Sequence, residues 1–162
     1  MLLDHRFGDI LYATVTIPIM HAISYTVAMS RGLARQLQRK YNLRDEIRSR
    51  PRSIPDIVPI QRGQRLLLNV ITKFKANDVA EHKLIYVALS LTNKLLEAKR
   101  ITTVAMSEFA TGLDQFPFPL LMDFLQLLRK WTECCTNALY TILGSGRNVR
   151  VFQRVVLQTT PG

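Results

Sequence analysis

Apolar positions recur along this chain in two rhythms. One is the short continuous run expected of a strand covered on both faces. Leu2 to Leu11 reads as a first strand ending near Gly8-Asp9, Val15 to Ile23 as a second, and Ile101 to Met106 and Ala138 to Leu143 as two later ones. The other rhythm repeats every three or four residues and marks the buried stripe of a helix. Met29, Leu33, Leu37 and Tyr41 keep it; Ile85, Ala88, Leu89, Thr92, Leu95 and Leu96 keep it again, with Asp78 as the expected N-cap. Asn42 to Glu46 opens a short second helix, and Pro51 and Pro55 end it. Ile57 to Ile60 and Leu66 to Ile71 flank the turn signal Gln61-Arg62-Gly63-Gln64, which predicts a hairpin. A last helix is expected from Leu120 to Trp131, with Leu121, Phe124, Leu125 and Leu128 inward. Helices alternating with continuously apolar strands predict an α/β domain, three layers deep (α/β/α), on a mixed, mostly parallel central sheet. Ligands of such sheets bind beyond the carboxyl ends of the strands.

Composition narrows the picture. The chain has 162 residues, 48% of them hydrophobic and 21% charged, enough for one domain with a sizeable core and too apolar for disorder throughout. The domain is expected over residues 1–143. Gly144-Ser145-Gly146 then breaks the composition, and residues 144–162 form a basic tail, read as an extra strand or an arm. The apolar stretch Ile10 to Ser24 is shorter than the ~20 residues of a membrane span, so no membrane partner is expected. Cys134 and Cys135 are neighbours, which implies no disulfide framework and a reducing compartment, cytoplasmic or nuclear. His5 and His82 lack ligand-like neighbours, so no metal site and no cofactor are expected; His21, inside an apolar strand, reads as a core histidine. The formal net charge of +10 attracts polyanions. Arg31, Arg35 and Arg39 share a helical face within the basic stretch Arg31 to Arg52, which is either a solvated face or, with the tail, a ridge for nucleic acid or another polyanion.

Three segments have the chemistry of a phosphate ligand site. Gly8-Asp9-Ile10 sets a carboxylate at a strand end. Met29-Ser30-Arg31-Gly32-Leu33-Ala34 is a small-residue turn opening a helix, whose free N–H groups and dipole favour an anion. Thr111-Gly112-Leu113-Asp114 is a small-residue loop after a buried strand. Together these segments resemble the macro domain family, closest to its terminal ADP-ribose protein glycohydrolase-like branch. Gly8-Asp9-Ile10 is similar to the family's Gly-Asp-Ile/Leu, and His21-Ala22-Ile23-Ser24 to the branch's His-Cys-Ile-Ser. Met29 to Ala34 resembles Met-Gly-Ala-Gly-Ile-Ala, Val70-Ile71-Thr72-Lys73 resembles Leu-Ile-Thr-Lys, and Gly112-Leu113-Asp114 matches Gly-Leu-Asp. The resemblance runs from about Leu3 to Leu143. Ser30 and Arg31 stand where small residues are usual, Ala110 and Thr111 where the branch has Gly-Cys, and Glu108 where it has arginine.

The resemblance implies an ADP-ribose site. Asp9, with Ile10, would meet the adenine; Ser24 and the backbone of Ser30, Arg31, Gly32 and Leu33 would wrap the pyrophosphate and distal ribose; Ala110, Thr111, Gly112 and Leu113 would close the other side. In the branch, the lysine matching Lys73 attacks the anomeric carbon of the distal ribose, and the aspartate matching Asp114 helps release the sugar. The chemistry is consistent with those residue types. An amine is nucleophilic only when neutral, which desolvation favours, and a carboxylate serves as acid, base or stabiliser of an oxocarbenium-like centre. Three functions stay open: a hydrolase of ADP-ribose esters on acidic side chains or acylated ADP-ribose, a reader of ADP-ribose or ADP-ribosylated protein without turnover, and a non-catalytic macro-like interaction module, of a viral or mobile-element type, working through its basic surface.

Overall fold

The computed structural model describes residues 9–106, 116–117, 119–124, 127 and 139–142. In chain order they form a 3-10 turn (Ile10–Tyr12), β1 (Ile19–Ser24), α1 (Gly32–Tyr41), α2 (Arg44–Ser49), β2 (Asp56–Arg62), β3 (Arg65–Lys73), α3 (His82–Ala98), β4 (Thr103–Met106) and β5 (Leu139–Ile142). Residues 119–124 are helical. The sheet order is β2-β3-β1-β4-β5. Among the described strands only β2 runs antiparallel, paired with β3 through the hairpin; β3, β1, β4 and β5 are parallel. Gly63 closes the hairpin at φ +56°, where a Cβ would meet no atom but would force the left-handed backbone on a residue that resists it.

Alternation along the central strands builds a core on each face. Ile19 and Ile23 of β1, with Leu67 and Ile71 of β3, pack under Leu37 of α1 and Ile47 of α2. Met20 of β1, with Leu68 and Val70 of β3, packs under Ile85 and Leu89 of α3 and Leu121. The arrangement is the expected three-layer α/β/α sandwich. On the α3 side Phe116 is buried, edge-on to His82 at 4.8 Å and to Tyr86 at 5.6 Å between centroids.

Several expected boundaries move. The second apolar run becomes strand only from Ile19, because Arg65, buried at the start of β3, donates to the carbonyls of Ala13, Thr14 and Ile17 and holds that segment off the sheet. Ile10 and Leu11, the end of the expected first strand, instead belong to the 3-10 turn Ile10–Tyr12 capped by Asp9; residues 1–8 lie outside the described residues. Met29 precedes α1 rather than joining it. Asp78 caps no helix: its carboxylate accepts the Lys75 N–H at 2.7 Å in a turn, and α3 begins at His82. Strand β4 begins at Thr103 instead of Ile101. Of the expected helix Leu120 to Trp131, residues 125–126 and 128–131, with Leu125 and Leu128, lie outside the described residues, as does the tail 144–162.

Two of the buried polar groups in the sheet pair specifically. His21 Nε2–H donates to Asn69 Oδ1 at 2.7 Å, and Asn69 Nδ2 donates to the Val58 carbonyl at 2.8 Å, so β1, β3 and β2 are tied in one chain. Burial pushes the imidazole pKa from 6.5 down to about 4, against the smaller upward pull of Asn69. The folded protein therefore holds His21 neutral where the unfolded chain binds a proton. This contribution to stability is full above pH 6.5 and is lost as pH falls from there through about 4. At roughly 1.4 kcal/mol per tenfold change in proton affinity, the loss reaches about 3 kcal/mol. Denaturant titrations at pH 7, 5.5 and 4 should show it, and His21→Gln should flatten that part of the profile; an equal slope in the variant would refute the assignment.

Candidate functional site

The parallel strands β3 and β1 end side by side. Their register runs evenly from Ile19 opposite Leu67 to Ile23 opposite Ile71, then slips by one residue, so that Ser24 pairs with Lys73 rather than Thr72. A slip of this kind re-aims a strand's last side chains. It sets the two sequence-selected residues next to each other at the carboxyl edge of the sheet. Both are largely buried, Ser24 at 4% and Lys73 at 9% exposure, and the Ser24 hydroxyl lies 3.1 Å from that of Thr26. Beyond the strands the chains stay laced together, Tyr25 N–H to the Lys73 carbonyl at 2.8 Å and Thr26 N–H to the Phe74 carbonyl at 3.2 Å. The rings of Tyr25 and Phe74 stack with centroids 5.6 Å apart.

The loop from Ser24 into α1 is conformationally unusual. Val27 and Met29 have φ of +53° and +46°, and Gly32 has +55°. A left-handed β-branched residue is uncommon and costs ~1–3 kcal/mol, a form of strain that clusters at ligand sites. Here burial offsets it, since Val27 and Met29 both pack into the α1/α2-side core. Ile10 joins the same cluster, which fixes Asp9, at the cap of the 3-10 turn, relative to this loop. Asp9 itself is exposed and accepts the Leu11 N–H at 2.9 Å. Ser30, Arg31 and Gly32 are exposed and Leu33 half-buried at the start of α1. The N–H groups of Met29, Ser30 and Arg31 make no backbone hydrogen bond among the described residues. The structure thus gathers Ser24, Lys73 and the α1 entrance at the carboxyl end of the sheet. Glu108, Ala110, Thr111, Gly112, Leu113 and Asp114 lie outside the described residues.

The basic stretch divides in two. Arg31, Arg35 and Arg39 are exposed. Arg44, Arg48 and Arg52 instead donate to backbone carbonyls of the loop after β1, a role that sequence reasoning missed. Arg50 and Arg62 meet Glu46, whose carboxyl is held below its usual range chiefly by the hydrogen bond from Arg62. The only sequence signal for this division is the repeated four-residue spacing, which both rows share. Among the described residues no group of His, Cys, Asp and Glu is placed to hold a metal ion, and no helix is long and apolar enough to cross a membrane.

A mixed sheet of order β2-β3-β1-β4-β5 between helical layers is the fold of a macro domain. Neither a family model nor a curated protein matches the sequence. Among solved structures the chain is similar to the macrodomain of Mycobacterium tuberculosis DarG, at TM-score 0.76 and 16% identity over 90% of this chain and 99% of that one. It is also similar to the macrodomain of Thermus aquaticus DarG, at TM-score 0.69 and 16% identity over 86% of this chain and 95% of that one. A third is Thermosipho africanus DarTG in complex with ADP-ribose, at TM-score 0.69 and 14% identity over 83% of this chain and 39% of that one.

Proposed function

We propose that the chain binds ADP-ribose across the carboxyl end of its sheet and cleaves ADP-ribose from esters, on modified acidic side chains or on acylated ADP-ribose. The observation that carries the proposal is the pairing of Ser24 with Lys73 beside a strained loop that leads into the α1 N-terminus. The loop and helix entrance offer N–H groups to a diphosphate. Asp9 offers a carboxylate to the exocyclic amine of adenine, and Lys73 offers an amine to the distal ribose. A similar fold has been solved in complex with ADP-ribose. In the proposed reaction the lysine nitrogen bonds to the anomeric carbon as the ester oxygen departs as carboxylate. Asp114, by the family resemblance, then assists release of the sugar to water.

Calorimetry with ADP-ribose tests the binding half. Asp9→Ala is expected to weaken affinity about tenfold, the size of one lost charge-assisted hydrogen bond. Absence of binding in the wild-type chain, or indifference to the substitution, would overturn the reading. A second reading, a module that holds nucleic acid without using the crevice, draws on the exposed row Arg31, Arg35 and Arg39. Salt-dependent duplex binding lost on neutralising that row, with no ADP-ribose binding, would favour it.

A further inference from the structure

We infer that Arg44, Arg48 and Arg52 set the phosphate affinity of the crevice from behind, as positioning residues that never touch the ligand. The inference rests on the ADP-ribose reading and deepens it. Each arginine takes a carbonyl of one short loop. Arg52 Nε donates to Tyr25 at 3.2 Å, Arg48 Nη2 to Thr26 at 3.4 Å, and Arg44 Nη2 to Ala28 at 2.7 Å. Arg52 also lies 4.7 Å from the Tyr25 ring centroid, and its Nη1 donates to the Ile47 and Arg48 carbonyls, so it joins the end of α2 to the loop. The base of this clamp is itself fixed: Gln38 Oε1 accepts the N–H groups of Leu43 and Arg44 at 2.9 and 2.7 Å.

A peptide unit points its C=O and N–H in opposite directions. A carbonyl drawn toward α2 therefore turns the N–H of the next residue away from α2. For the Ala28 carbonyl that N–H belongs to Met29, which makes no backbone hydrogen bond among the described residues. Left-handed φ at Val27 and Met29 bends the chain in the manner that gathers N–H groups into an anion-binding concavity. A charge-assisted bond on a carbonyl also polarises its own peptide unit, which for Arg44 strengthens the Met29 N–H on the far side; the N–H groups behind the other two carbonyls, of Thr26 and Val27, are already given to the Phe74 and Ser24 carbonyls, so Arg48 and Arg52 act by holding the loop and by their charge. The three guanidinium groups thus do two things: they hold the strained backbone, and they add positive potential behind it without occupying the space a phosphate would take.

The discriminating measurement compares ligands with and without phosphate. Calorimetry of the full chain with ADP-ribose and adenosine is expected to show Arg44→Met weakening ADP-ribose about tenfold while adenosine affinity holds, with Arg44→Lys recovering most of the loss. The Met29 amide proton should shift upfield in the same variant without ligand. Arg48 is exposed, so R48M keeps the test open if R44M fails to fold; its expected loss is about threefold, again confined to ADP-ribose. Equal weakening of both ligands would reduce the clamp to general scaffolding and overturn the inference, as would unchanged ADP-ribose affinity in R44M and R48M. A wild-type chain that binds adenosine but gains nothing from the phosphates would overturn it too. A wild-type chain that binds neither ligand overturns the ADP-ribose reading itself, and the clamp's role with it.

Discussion

Lys73→Ala is expected to lower the release of ADP-ribose from a glutamate-linked ester by a hundredfold or more, on the order of what a positioned nucleophile or acid–base group contributes. The residue ends β3 opposite Ser24 with 9% of its surface exposed. Its position is therefore set by the sheet rather than by a flexible loop. The diphosphate contacts assigned to the α1 entrance do not involve it, so ADP-ribose affinity should fall far less than turnover. Lys73→Arg is the sharper companion: it keeps a basic side chain of similar length but has no amine to bond to the anomeric carbon. Mass spectrometry of the modified peptide over time reads both variants. Turnover that survives both substitutions would remove Lys73 from the chemistry, and a wild-type chain that binds ADP-ribose without turnover would be a reader.

Arg65→Met should cost about 3–5 kcal/mol of folding stability, as expected when a buried cation is taken from its partners. Arg65 is 2% exposed, and its guanidinium donates to the carbonyls of Ala13, Thr14 and Ile17. Methionine fills much of the same volume and donates nothing, so acceptors now paired with a cation lose their partner. Those acceptors lie on the segment that delivers the chain into β1, and the damage should reach the central strand. Urea denaturation measures the loss. A change under ~1 kcal/mol would mean that water reaches those carbonyls freely once the cation is gone.

The layered architecture is legible in the sequence because its central strands are buried on both faces and its helices on one, and these two environments leave different periods. The Ser24–Lys73 end of the site is legible for a related reason: each residue follows an apolar run that has to stop at a sheet edge. What escapes reading depends on contacts between distant segments. The slip that puts Lys73 rather than Thr72 opposite Ser24 carries no local signature. Left-handed Val27 and Met29 contradict local preference and are held by the core they enter. Arg65, just before an apolar run, has the look of a solvated strand-start residue until its three carbonyl partners are seen. Asp78 has the chemistry of a cap and uses it on a turn. The rows Arg31/35/39 and Arg44/48/52 have identical spacing, and only the tertiary fold decides that one faces solvent and the other the loop.

The order of the sheet also bears on when the site comes into being. β1 is made before both of its neighbours, β3 and β4, with Ile19 matched to Leu67 on one side and to Ala105 on the other. Contacts so far apart in sequence form slowly, because a long loop must close before any hydrogen bond rewards it. The β2–β3 hairpin has no such wait. A nascent chain that has passed α3 can therefore hold a finished hairpin and finished helices while its middle strand still lacks one flank, and the strand edge that carries Ser24 is completed only when β4 arrives.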